Sequence, residues 1–280
     1  MSDSTEKQCL YNIVKRSDLT SETLQEYLSE KAINHHNYRH YSDCDRIQAI
    51  LDTGYIYLSD GKTWNDIVDR TAFQNNTSGK TNFGICFTYS MSENIAFWML
   101  YSRTNGRMIN FTQKVIKSIV TNTSNVSIGQ FLDSNFITIK SCNINPTDIF
   151  VCDVLYYDSV DNKPNEYRVK HSDEKREYIN KSLIDNLQYI KKTMAWSYEK
   201  ECRLIVQIPN EVINEIIKDS RYLESKPLLV KLQIKEDLLH TLLSRVIESP
   251  NTDKDEYLPS CIKNKIDWDV CYNCEYKNNK

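Results

Sequence analysis

The run Cys202-Arg-Leu-Ile-Val-Gln-Ile208 constrains this chain more than any other segment. Seven residues, mostly apolar and rich in β-branched side chains, are too few for a buried helix and read as a strand. Trp196-Ser-Tyr-Glu199-Lys-Glu201 leads straight into it. On an extended chain residues i and i+2 project to one face, so the spacing predicts both carboxylates on one side and Lys200 on the other. Such a pair can hold a ribose hydroxyl, stabilise an oxocarbenium cation, or divide the roles of acid and base. The same pair also fits an exposed strand edge, or ion pairs with Arg203 or a lysine.

The remaining segments alternate between short strands and helices. Ser21 caps a predicted helix over 21–31 whose Leu24, Tyr27 and Leu28 share a face. Tyr38 to Tyr41 reads as a strand, followed by a cap at Ser42 or Asp43 and a helix carrying Ile47, Ile50 and Leu51. Gly54 ends that helix as a left-handed cap residue. Tyr55 to Ser59 is a strand stopped at Asp60-Gly61, and residues 64–82 read as a loop suited to a lid. Phe83 to Tyr89 is a strand; Ser92 caps a helix with Ile95, Trp98, Met99 and Tyr101, closed by Asn105-Gly106. A strand at 108–111, a helix at 112–120, a polar loop at 121–128 and strands at 136–140 and 148–156 follow. Ile179, Leu183, Leu187 and Ile190, spaced 4, 4 and 3 apart, predict the longest helix over 174–192. Strands at 228–234 and 246–248 flank a helix at 235–243.

Strands without strict βαβ alternation favour an α+β chain over a doubly wound sheet. No Pro/Gly/Ser-rich boundary divides the 280 residues, so the expected layout is an N-terminal helical extension (1–35), a single α+β catalytic-type domain (36–276) and a frayed tail (277–280). Hydrophobic residues at 40% and charged residues at 26% are ordinary for a folded chain, which sets wholesale disorder aside. A net charge of −3 argues against a broadly basic nucleic-acid coat. No apolar run approaches membrane-spanning length and the start is polar, so the expectation is no membrane partner and a cytoplasmic location. Nine cysteines, an odd number, with Cys86, Cys152 and Cys202 in apolar runs, read as reduced core residues.

Two further constellations carry polar chemistry. Tyr38-Arg39-His40-Tyr41-Ser42 offers a guanidinium fork for phosphate and rings that hydrogen-bond or stack on a nucleotide; the bland alternative is structural. Phe87-Thr88-Tyr89-Ser90-Met91-Ser92 puts hydroxyls where a strand gives way to a helix, a place for a bound anion or simply a helix cap. Cys271 and Cys274, with Cys261, lack the partners that complete a zinc site, and His35-His36 reads as solvated, so no metal ligand is assigned. GxxxxGK[ST], GxGxxG, HExxH and GxSxG are all absent.

Taken in order, Tyr38-Arg-His-Tyr, Ile50 to Ser59, Trp64-Asn-Asp66, Cys86-Phe87, Phe97-Trp98-Met-Leu-Tyr101 with Gly106, and Trp196 to Arg203 resemble a bacterial family known only as domain of unknown function 2971. Where that family shows Phe-Asn-Asp-Pro this chain has Trp64-Asn-Asp-Ile67. The same landmarks are similar to the three-part layout of ADP-ribosyltransferases: an Arg or His on an early strand, a hydroxyl-bearing strand end, and a Glu-x-Glu opening a later strand. That resemblance implies a split ADP-ribosyltransferase-like β core with peripheral helices. It implies NAD as substrate and a macromolecular acceptor, protein or nucleic acid, in the manner of a toxin or phage-defence effector. Glu201 would then hold the nicotinamide ribose and Glu199 the acceptor. Arg39 or His40 would anchor NAD, Thr88 and Ser90 would order the pocket, and Tyr89 or Tyr101 would stack on nicotinamide. Readings of a different class are a non-catalytic recognition or regulatory module, and a nuclease using Glu199 and Glu201 with a divalent metal.

Overall fold

The computed structural model describes residues 9–75, 79–91, 95–102, 106–133, 135–242 and 245–249. The first elements among the described residues are α1 (Leu10–Val14) and α2 (Ser21–Ala32). The cap of α2 is Thr20, one residue ahead of Ser21. Its hydroxyl accepts from Thr23 N while Thr23 Oγ1 accepts from Thr20 N, and the Ser21 hydroxyl donates instead to Leu183 O. β1 (Asn37–Asp43) runs into α3 (Cys44–Thr53), which stops at Gly54. Gly54 sits at φ 69°, a left-handed conformation in which any other residue is strained, and its N–H closes the helix on Ile50 O.

β2 (Tyr55–Ser59) follows as the alternation predicts. The expected lid is instead α4 (Ile67–Gln74), capped by Asp66, whose carboxylate accepts from Val68 N and Asp69 N. Phe73 on α4 is fully buried, and a Cβ on Gly84 would stand 2.7 Å from its Cζ. Gly84 thus leaves room in the sheet for a ring that pins the segment down. β3 (Lys80–Thr88) precedes α5 (Ile95–Phe97) and a π-turn (Trp98–Ser102); Ser92 and Asn105 lie outside the described residues.

β4 (Gly106–Thr112) and α6 (Gln113–Asn122) lead to β5 (Asn125–Leu132) and β6 (Asn135–Asn143). The polar loop expected over 121–128 thus gives way to strand at Asn125, because Val126 and Ile128 supply the buried face while Asn125 and Ser127 face outward. β7 (Ile149–Asp153) and β8 (Leu155–Ser159) divide one predicted strand at Val154, whose N–H goes to Glu201 O. The long helix over 174–192 does not exist. β9 (Glu166–Lys170) and β10 (Glu177–Asn180) form a hairpin, and then come α7 (Lys181–Asp185), a short turn of helix (Gln188–Ile190) and β11 (Lys191–Thr193). A 3₁₀ segment (Met194–Glu199) delivers β12 (Glu201–Pro209), followed by α8 (Asn210–Ile217), β13 (Leu229–Gln233), α9 (Glu236–Leu242) and β14 (Val246–Glu248).

The architecture is α+β. A ten-stranded antiparallel sheet carries β3 at its centre, and a four-stranded sheet, ordered β10-β9-β8-β11, lies beside it with β11 parallel to β8. One edge of β3 pairs with β12 along all nine residues of each strand, and β12 pairs in turn with β7. The other edge is shared: β1 meets β3 at Arg39↔Thr88 and β2 meets it at Ser59↔Gly84. β1 leads outward to β4 and β14, and β2 to β13, β5 and β6. The sheet therefore splays on that side. α1 and α2 are tied into the second core, where Leu10, Leu24, Tyr27 and Leu28 pack with Phe150, Cys152, Leu187 and Ile190. The six described cysteines are all free thiols.

Candidate functional site

Strand register puts three of the sequence-selected residues in one row. Arg39 on β1 faces Thr88 on β3, and Thr88 faces Glu201 on β12. Thr88 is buried; its hydroxyl donates to Glu199 O at 2.6 Å and accepts from Ser90 N, and Tyr89 N donates to Lys200 O. These bonds fix the end of β3 against the turn that begins β12.

That turn is not extended. Lys200 adopts φ 45°, ψ 57°, a left-handed conformation uncommon outside glycine, so Glu199 and Glu201 are not related by strand alternation. They nevertheless converge, because the kink brings both carboxylates to one ammonium. Lys192 Nζ donates to Glu199 Oε2 at 2.5 Å and Glu201 Oε2 at 3.0 Å, and stands 3.7 Å from Asp69 Oδ2. The ammonium of Lys200 turns away to Asp173 at 2.6 Å. Glu201 Oε1 accepts from Arg203 Nε at 2.6 Å, and the Arg203 Nη2 bonds both oxygens of Asp69. Arg203 is wholly buried, donates through Nη1 to Tyr189 O, and lies over the ring of Trp64 at 4.9 Å. Tyr101 donates to Glu199 Oε1 at 2.7 Å, and Tyr156 Oη accepts from Glu201 N.

Asp69, Glu199 and Glu201 thus face only Lys192 and Arg203, which leaves one carboxylate in excess. Burial raises the Glu199 carboxyl and the Glu201 charge raises it further; Lys192 and Tyr101 compensate only in part, and it is pushed up to about 7. Burial acts on Glu201 too, but Arg203 and Lys192 outweigh it and hold that carboxyl well below the usual range. Burial likewise raises Asp69 against the pull of Arg203. The proton affinities of two carboxyl groups two positions apart are therefore pushed in opposite directions, the condition for dividing acid and base roles.

An open cleft of about 480 Å³ lies at this end of the sheet, lined by His35, Tyr89, Ser90, Met91, Ser172, Asp173 and Lys200. Neither Glu199 nor Glu201 lines it; they are 1% and 4% exposed. Arg39 reaches the rim through Nη2, which donates to Met91 O, while its Nε and Nη1 have no hydrogen-bond partner among the described residues. His40 turns the other way. Its Nδ1 donates to Cys86 O at 3.0 Å, between the two points where β1 and β2 join β3, and burial pushes its pKa down to about 4. It satisfies a carbonyl in the notch of the splayed sheet and does not face the cleft.

Several residues at the site carried no sequence signal. Asp69 lay in the supposed lid and Lys192 in the supposed helix. His35, read as solvated, donates through Nε2 to the fully buried Asp153 at 2.8 and 3.0 Å, and its ring stacks on Tyr89 at 3.9 Å. Asp153 also accepts from His171 Nε2 at 2.8 Å. His171, against burial, is pushed up to about 9 by Asp153 and Glu174. Cys261, Cys271 and Cys274 lie outside the described residues; among those described, no group of His, Cys, Asp and Glu is arranged to hold a metal ion. No helix among the described residues is long and apolar enough to cross a membrane.

No curated protein and no solved structure matches the chain. Residues 97–204, which span Tyr101, Lys192, Glu199, Glu201 and Arg203, match the family described as Protein of unknown function (DUF2971).

Proposed function

We propose that the chain is an ADP-ribosyltransferase-like enzyme that consumes NAD and modifies a macromolecular acceptor. One observation carries the reading: Arg39, Thr88 and Glu201 share a row across three neighbouring strands, at the end of the sheet where the cleft opens. The unpartnered Nε and Nη1 of Arg39 suit a pyrophosphate, which accepts from a guanidinium fork. Tyr89 offers a ring to nicotinamide, and Ser90 lies beside it in the cleft wall. Glu201, held ionised, suits the ribose hydroxyls and the cationic transition state; Glu199, its carboxyl raised by burial, suits a hydrogen bond that positions the acceptor. Because Glu201 is buried, the Lys200 turn opens on this reading when NAD binds. A toxin or phage-defence setting belongs to the same proposal.

A non-catalytic recognition module is favoured by a different observation, that both oxygens of Glu201 are already paired inside the core. The nuclease reading is weaker. Its three carboxylates surround the ammonium of Lys192, which stands where a divalent ion would need to sit.

Incubating the protein with labelled NAD, with and without cell lysate, separates the readings. Transfer of label to protein or nucleic acid supports the enzyme, and absence of NAD binding supports the module. Glu201→Gln, checked for folding by its thermal melt, is expected to lower turnover by at least about 100-fold. A folded variant working at the wild-type rate overturns the assignment.

A further inference from the structure

The cleft contains a proton acceptor that the row of Arg39, Thr88 and Glu201 does not use. His35 lines the cleft and belongs to the segment joining α2 to β1. Its Nε2 is committed to both oxygens of Asp153, and a carboxylate only accepts, so the ring proton sits on Nε2. The neutral ring then carries its lone pair on Nδ1, which has no hydrogen-bond partner among the described residues. Stacking on Tyr89, with the ring planes 13° apart, fixes the plane of the imidazole. Asp153 is 0% exposed, so no water competes for its charge. Beyond it the partners alternate in sign, from Asp153 to the His171 ring to Glu174, which lies 3.6 Å from His171 Nδ1.

A buried carboxylate that orients an imidazole and faces the charge it gains is the arrangement by which histidines serve as general bases. We infer that His35, oriented by Asp153, takes the proton of the acceptor nucleophile in this cleft. The inference rests on the NAD-consuming reading. In the step, the acceptor O–H or N–H gives its proton to His35 Nδ1 as its lone pair forms the bond to the anomeric carbon of the ribose. The bond from that carbon to the nicotinamide nitrogen breaks, its electron pair stays on the nitrogen, and the positive charge of the pyridinium is cancelled. His35 is the catalytic residue and Asp153 the positioning residue.

The test uses the full chain and NAD, measuring binding by calorimetry and turnover by release of nicotinamide and transfer of label. His35→Gln is expected to bind NAD within about threefold of wild type and to lose 100-fold or more in kcat, the usual contribution of a positioned base. His35→Ala should regain turnover when imidazole is added, which a merely structural histidine would not. Asp153→Asn, if folded, should lower kcat with little change in KM. A His35→Gln protein that keeps wild-type kcat overturns the role of the dyad while leaving the NAD reading standing. So does a His35→Ala protein that loses NAD binding and is not rescued. A wild-type chain that neither binds nor cleaves NAD overturns both.

Discussion

Glu199 and Glu201 are two positions apart in sequence, and the fold shifts their proton affinities in opposite directions. Because burial and the Glu201 charge lift Glu199 from 4.5 to about 7, the folded chain keeps a proton that the unfolded chain releases between those values. Stability from this group therefore falls as pH rises from about 4.5 to 7. Glu199→Gln removes the titration, so the wild type should lose ~2–3 kcal/mol more than the variant between pH 4.5 and 8, read by urea unfolding at each pH. Identical slopes would show that the network carries no excess charge. At this scale the sequence exposed the pair but not its surroundings. Glu199 and Glu201 stand side by side, whereas Lys192 and Asp69 become neighbours only through the fold. The left-handed turn at Lys200 has no glycine to announce it.

Elements with a clean period were legible. α3 ends at Gly54, β2 alternates, and β12 is an uninterrupted apolar run, and all three lie where the pattern puts them. The stretch 174–192 misleads because Ile179, Leu187 and Ile190 are buried and Leu183 is half-buried, yet they come from a strand, a loop, a 3₁₀ turn and a short helix. Spacing alone cannot distinguish one long apolar face from four separate insertions. The loop at its start anchors the N-terminal elements: Glu174 accepts from Leu10 N at 2.7 Å and from the Tyr27 hydroxyl. Glu174→Gln weakens both bonds and the contact with His171, at a cost of about 1–2 kcal/mol. Amide exchange should then speed up across α1 and α2 while β3 and β12 keep their protection. Unchanged protection in α1 and α2 would mean that apolar packing alone holds them.

At the scale of the whole molecule, Arg203 joins separate elements. From β12 it reaches Asp69 on α4, the Tyr189 carbonyl beside the second sheet, and the ring of Trp64. Arg203→Met fills similar volume but leaves Glu201 and Asp69 facing Lys192 alone, so a loss of ~3–5 kcal/mol is expected in urea unfolding at pH 7. A loss below ~1 kcal/mol would mean that the carboxylates take up protons at no cost. The pairing of β3 with β12 has a consequence for synthesis. Thr88 and Glu201 are opposite each other in the sheet and 113 residues apart in the chain. A nascent chain that has emerged only as far as β11 leaves one edge of β3 without its partner, and contacts closed over such separations form slowly. The cleft, the carboxylates and the row that unites them are thus completed late, when a ribosome has already made most of the chain.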